Sequence, residues 1–280
     1  MPLVQRRIWL CADDYGISRS VNSAIRELIL RGRLNATSVM MAAPHIDASE
    51  ATALDKLNSG TKRAALGLHV TLTAPFKPIG ADFAPLGHGH FLSLKKMMRA
   101  AVTRRLRPER LVSEITAQVQ AFVTVLGRPP DFIDGHQHVH LFPQVRDAVL
   151  KVAAEMAPKA WVRQCGRPRS ARRLKGRKEL LLDILSVGFR RKARQRGVAT
   201  NPAFAGAYDF SGNRAFAEIF PRFLAGLPDG GLIMCHPGFV DAELERLDPL
   251  THQREREFAF FNSAEFPRIL AEHGVTLAVV

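Results

Sequence analysis

The stretch RIWLCADDYGISRSVNSAIRELILRGRLNATSVMMA, residues 7–42, decides the fold. It opens with a β-like run, Arg7–Ala12, which gives way to Asp13, Asp14, Tyr15 and Gly16. A helical pattern follows over Ser18–Leu30, with Ser18 suited to cap its first turn and Gly32 to stop it. A second β-like run covers Thr37–Ala42. The alternation then repeats. Further strands are expected at Ala65–Val70, Phe132–Gly135, Ala160–Gln164, Gly231–Cys235 and Thr276–Val279. Helices are expected at Pro108–Leu126, Pro143–Met156, Arg214–Leu224 and Ser263–Glu272. About seven strands separated by helices imply an α/β fold with a parallel sheet and right-handed crossovers, and at this length they fit a (β/α) barrel. A doubly wound open sheet is the alternative. Its nucleotide-binding forms lose support, because no Gly-x-Gly-x-x-Gly follows the first strand and no Walker A sequence occurs. Without repeats, linkers or low-complexity segments, residues 1–280 read as one domain.

With 46% hydrophobic and 24% charged residues, the chain of 280 can bury a large core. Aliphatic runs recur from end to end, which excludes disorder of the whole. Cys11, Cys165 and Cys235 are odd in number and far apart, without CxxC spacing. They exclude a disulfide scaffold and lead us to expect a reducing, cytoplasmic location. The first ten residues lack the apolar stretch and small-residue site of a signal peptide, and no apolar run approaches a membrane span.

The formal charge of +14 is unevenly spread. Lys159 to Arg196 holds fourteen basic residues against Glu179 and Asp183, a local +12 that leaves +2 for the rest. Arg167–Lys178 reads as a loop, and Glu179–Phe189 as a helix-like run that ends in Arg190, Arg191, Lys192, Arg194 and Arg196. The whole is expected as a basic insertion around 165–213. One reading is a solvated surface; the other is a basic, partly apolar flap that meets an anionic surface or membrane through 159–196. Nucleic acid is not expected, since no interleaved aromatics, zinc-finger spacing or RNA-binding motif accompanies the charge.

In a parallel α/β protein the active site forms beyond the carboxyl ends of the strands. Those ends carry Asp13-Asp14, His69, Asp134 with His136, His138 and His140, Arg163, and His236. Taken singly, each has a plain structural explanation: an Asp pair can cap a helix, a lone His can be a hydrogen-bonded core residue, and His236 before Pro237 can be a turn residue. In an extended segment His-Gln-His-Val-His places three imidazoles on one side, whereas a loop scatters them. Together at one rim they point to a divalent metal site, because burying such groups unpaired costs roughly 2–7 kcal/mol each. One Asp and two His make a three-ligand site with an open position, which suits zinc or another transition ion; magnesium prefers more oxygen ligands.

Ala-Asp-Asp-Tyr-Gly at 12–16, Gly-Leu-His-Val-Thr-Leu at 67–72, Asp-Gly-His-Gln-His-Val-His-Leu-Phe-Pro at 134–143 and Cys-His-Pro-Gly at 235–238 resemble the YdjC-like carbohydrate deacetylases, of chitooligosaccharide and hopanoid-associated type. The resemblance runs along nearly the whole chain. It implies a deformed, incomplete (β/α) barrel that removes N-acetyl groups from amino sugars with one divalent cation, Zn²⁺ or Mg²⁺. By the same resemblance Asp14, His69 and His136 match the metal ligands, Asp13 the general base, His236 the general acid and Arg163 a residue that orients the base. Tyr15, His138 and Asp134 are expected to contact substrate. A homodimer is a further expectation. Two other function classes compete: a metal-dependent phosphoesterase, and a non-catalytic module that binds anionic glycan or membrane.

Overall fold

The computed structural model describes residues 5–168, 177–210 and 214–279. Part of the basic stretch expected as a loop, 169–176, therefore lies outside the described residues. The strands are β1 (Arg6–Tyr15), β2 (Ala36–Val39), β3 (Ala65–Val70), β4 (Phe132–Gly135), β5 (Trp161–Val162), β6 (Phe204–Ala205), β7 (Leu232–Cys235) and β8 (Val275–Leu277). Between and after them run α1 (Arg19–Leu30), α2 (Ala48–Lys56), α3 (Leu94–Val102), α4 (Pro108–Leu126), α5 (Val145–Met156), α6 (Arg177–Gln195), α7 (Phe216–Leu224), α8 (Ala242–Leu247), α9 (His252–Asn262) and α10 (Glu265–Glu272).

All ladders are parallel, in the order β5-β4-β3-β2-β1-β7-β6, with β8 paired to the start of β1. The end strands β5 and β6 share no ladder, so the barrel is incomplete. Single hydrogen bonds span the gap: Phe204 donates to the Gly166 carbonyl (3.0 Å) and Val162 to that of Ala199 (2.9 Å). Asn201 adds its side chain, accepting from the Gln164 N–H at 2.8 Å and donating to its carbonyl at 3.1 Å. β6 is missing from the sequence-based expectation because two residues carry no periodicity.

Central strands buried on both faces read as continuous apolar runs, and β3, Ala-Leu-Gly-Leu-His-Val, is buried throughout. Helix boundaries follow local chemistry. Ser18 Oγ accepts from Val21 N at the start of α1 (3.3 Å), and Pro108 opens α4 where a missing N–H costs nothing. Gly127, at φ 69°, closes α4 by donating to the Val123 carbonyl at 2.8 Å. The expected basic insertion is, where described, the crossover from β5 to β6: α6 buries Leu182, Phe189 and Ala193 in the core.

Phe132 of β4 stacks on Trp161 of β5, ring centroids 4.6 Å apart and 11° from parallel. That stack exists because Gly67 on β3 has no side chain; a Cβ there would lie 2.3 Å from the Phe132 ring. Gly67→Ala is therefore expected to destabilise folding by about 1–3 kcal/mol. A urea titration checks it. Adding Phe132→Leu should recover part of the loss, and no recovery would place the strain elsewhere.

Candidate active site

Adjacent residues of a regular strand point to opposite faces, so Asp13 and Asp14 could not both enter one site from an unbroken ladder. β1 escapes this by a bulge. Ala12 pairs with Thr37, and the next partners are Tyr15 and Val39, three steps on β1 against two on β2. Asp14 takes up the extra residue in the left-handed region, φ 68°, where non-glycine residues are uncommon and mark strained, often functional, positions. Both carboxylates thereby converge on His69. Asp14 Oδ1 lies 3.3 Å from His69 Nε2, and Ser38 Oγ, 3.0 Å from His69 Nδ1, donates to Asp13 Oδ1 at 3.4 Å.

The second imidazole arrives on a tight 3-10 turn, His136–Leu141, which follows β4 at once. Gln137 and His138 both have positive φ, 54° and 60°, and this scatters the three histidines. His136 Nδ1 reaches Asp14 Oδ1 at 2.9 Å. His138 turns to Cys165 Sγ (3.6 Å) and the Phe204 ring, and His140 is fully buried with Nε2 2.9 Å from the Arg163 carbonyl. Burial pushes the His140 imidazole down to about 3, so it is neutral and structural.

Two arginines hold the aspartates. Arg163, just past β5, donates to Asp13 with both terminal nitrogens, Nη1 to Oδ2 at 2.7 Å and Nη2 to Oδ1 at 2.6 Å. The same Nη2 lies 2.5 Å from Asp134 Oδ2. Asp134 Oδ1 in turn meets His69 Nδ1 at 2.6 Å, as expected for cross-strand neighbours in register. Arg254 on α9 donates from Nη2 to Asp14 Oδ2 (2.7 Å) and to Asp248 (2.8 Å). Burial raises the Asp13 carboxyl, against the pull of Arg163 and His69. For Asp14 burial is outweighed, and the Arg254 guanidinium and His136 hold it well below the usual range.

The donor set fits a divalent cation. Asp14, His69 and His136 bring one ligand atom each within 4.8 Å of one another, all buried. His69 presents Nε2 inward because Asp134 holds Nδ1, the carboxylate–histidine pairing common behind metal ligands. Charge agrees. Three buried carboxylates, Asp13, Asp14 and Asp134, meet only two guanidinium groups among the described residues, so the cluster is short of positive charge. Without a cation a proton covers the deficit: burial opposes it, but Asp134 and Asp13 push His69 up to about 10. Cys11, Asp13 and Asp134 form a second group of similar spacing, but the Arg163 guanidinium already occupies it, 3.1 Å from Cys11 Sγ.

His236 leaves β7 where Cys235 pairs with Ala12, so it departs beside Asp13. Its backbone N–H donates to Glu257 Oε2 at 2.6 Å and its ring meets the edge of Phe210. Glu257, on α9, also accepts from the Tyr208 hydroxyl at 2.5 Å, and burial pushes its carboxyl up to about 7. Two residues expected to contact substrate are placed otherwise. Tyr15 is fully buried and donates its hydroxyl to Glu50 (2.8 Å) while accepting from Arg26, which ties β1 to α1 and α2. Asp134 is fully buried and consumed by His69 and Arg163, so it orients the site rather than touching a ligand.

Sequence reasoning missed Arg254, Glu257 and Ser38. Arg254 and Glu257 sit in the charge-rich run His-Gln-Arg-Glu-Arg-Glu, which reads as a solvated face. The available signal was spacing: 254, 257 and 261 share one helical face, and the last is the fully buried Phe261.

Removing Arg163 strands two buried carboxylates. Arg163→Met is expected to cost about 3–5 kcal/mol of folding stability, and Asp13→Asn/Asp134→Asn/Arg163→Met clearly less. Denaturant midpoints of the two variants decide it; equal losses would mean that packing of the arginine stem matters more than its charge.

Residues 7–272 match the model of the family described as YdjC-like protein. A chitooligosaccharide deacetylase of Serratia marcescens is 30% identical over 270 residues, 95% of this chain and 94% of that one. A carbohydrate deacetylase of Vibrio cholerae serotype O1 is 26% identical over 95% of this chain and 92% of its own. Among solved structures, a candidate cellobiose-phosphate cleavage protein of Enterococcus faecalis V583 superposes with a TM-score of 0.76 at 21% identity, covering 98% of this chain and 97% of that one, which supports the fold. With a match across nearly the whole of its length, and the four strand-end motifs in place, the chain belongs to the YdjC-like protein family.

Proposed function

We propose that this protein is a metal-dependent deacetylase that hydrolyses the N-acetyl group of an amino sugar in a chitooligosaccharide or related glycan or glycolipid. One observation carries the reading: Asp14, His69 and His136, each offering one ligand atom to a common point, stand beside a further carboxylate, Asp13, that Arg163 clamps with two hydrogen bonds. The names of the relatives supply the substrate class. The three cysteines, none of them disulfide-bonded, suit a reducing cytoplasm.

Asp14, His69 and His136 would hold the cation, which when bound supplies Lewis acidity to a carbonyl and to water. Asp13 takes a proton from the attacking water; its burial raises its basicity, and Arg163 fixes the direction in which its oxygens point. Water oxygen bonds to the acetyl carbon, the C–N bond breaks, and His236 gives a proton to the departing nitrogen. Acetate and a free amine result. Glu257 holds the His236 backbone, and Arg254 holds the outer oxygen of Asp14 so that Oδ1 faces the two imidazoles.

Asp13→Asn should keep its metal and lower turnover by ~10²–10⁴-fold, read as acetate released from N-acetylated chitooligosaccharides; unchanged turnover would remove Asp13 from the mechanism. His69→Ala should lose the metal on elemental analysis of purified protein. Arg254→Gln should weaken metal affinity by about 10–100-fold in a chelator competition, since it frees the outer oxygen of a ligand. Phosphate release from a generic ester, with no acetate from any N-acetylated sugar, would favour the phosphoesterase alternative instead.

A further inference from the structure

α6 has two distinct faces. Inward, Leu182, Phe189 and Ala193 are buried, Ser186 Oγ accepts from Cys165 N at 3.0 Å, and Asp183 accepts from Arg167 N at 2.8 Å. This face packs behind the strand end that delivers Arg163. Outward, Leu180, Ile184, Val187, Arg191 and Arg194 follow one another at helical spacing and form a single line about 21 Å long. Leu180, Ile184 and Val187 are 57%, 62% and 58% exposed, with Leu181 beside them at 41%. Nine large hydrophobic residues are exposed among the described residues, and four of them lie within these eight positions, so this is a patch and not ordinary scatter.

The other end of the line is cationic. Lys192 and Arg196 reach Asp147, at 3.3 and 3.8 Å, whereas Arg191 and Arg194 form no ion pair among the described residues. No carboxylate lies on the line itself. We propose that this outer face of α6 docks the protein on an anionic phospholipid surface. An interfacial helix of this kind buries aliphatic side chains at the level of the headgroups while its arginines meet lipid phosphates. Charge decides among the other occupants. A second copy would bring +14 against +14, and nucleic acid would satisfy the arginines but bury none of the four aliphatic side chains. No helix of the described residues is long and apolar enough to cross a membrane, so attachment through α6 is peripheral.

Co-sedimentation with vesicles tests this, using phosphatidylcholine alone and phosphatidylcholine mixed with phosphatidylglycerol. Binding to the mixed vesicles only is expected, weakening as salt rises. Ile184→Glu/Val187→Glu and, separately, Arg191→Glu/Arg194→Glu should each reduce it about tenfold or more, with melting temperature and acetate release from a soluble oligosaccharide unchanged. Four results would overturn the proposal: no vesicle binding, equal binding to the neutral vesicles, full binding by the Ile184/Val187 variant, or a wild-type dimer that the same variant dissociates. Binding is read without substrate, so it fails or stands separately from the deacetylase reading.

Discussion

Three buried carboxylates in one site, with only two guanidinium groups among the described residues to meet them, set the terms for everything around them. Asp13 and Asp14 can share the site because β1 bulges and puts Asp14 into a left-handed conformation. That costs backbone energy and concentrates like charge in a place of low dielectric. The surroundings answer with matched cations. Arg163 takes Asp13 and Asp134, Arg254 takes the outer oxygen of Asp14, and what remains is an electrostatic demand for one more positive centre between Asp14, His69 and His136. That demand follows from the way the protein balances its own burial.

The two arginines come from separate elements, the end of β5 and α9, and each needs a rigid seat. Arg163 is held by its own backbone, which donates to Ile133 and accepts from His140. Arg254 depends on α9, and α9 depends on aromatics: Phe260 and Phe261 interlock edge to face with Phe216 and Phe266, and Phe220 packs among them. Such pairs add specific geometry to plain burial. One helix thus delivers Arg254 to Asp14 and Glu257 to the backbone of His236, so two strand ends of the site share a support.

The charge that dominates the composition belongs to a different part of the molecule. The +12 of Lys159–Arg196 includes Arg163, but most of its other described members line α6 and the turn that follows it. α6 is one of the barrel's own crossover helices, and its position explains how a strongly basic surface can stand next to a site whose own groups are acidic. Ser186 and Phe189 lie on the inner side of α6, and Arg191 and Arg194 on its outer face.

The alternation of apolar runs and helical patterns, the cap at Ser18, the stop at Gly32 and the placing of Asp, His and Arg at strand ends were all legible in residues alone, because they are local: they depend on spacing within a dozen positions. Most of the site's members could be named for the same reason. What no local pattern contains is direction. Tyr15 follows the aspartates directly yet turns its hydroxyl to Glu50, and His138 and His140 share a motif with His136 yet face Cys165 and Arg163. Arg254 and Glu257 lie in a run of charge that looks solvated. Residue types and their order along the chain determined the fold class and the chemistry on offer. Only the tertiary structure decided which side chains meet, because a bulge, two residues at positive φ and the packing of a distant helix set where each one points.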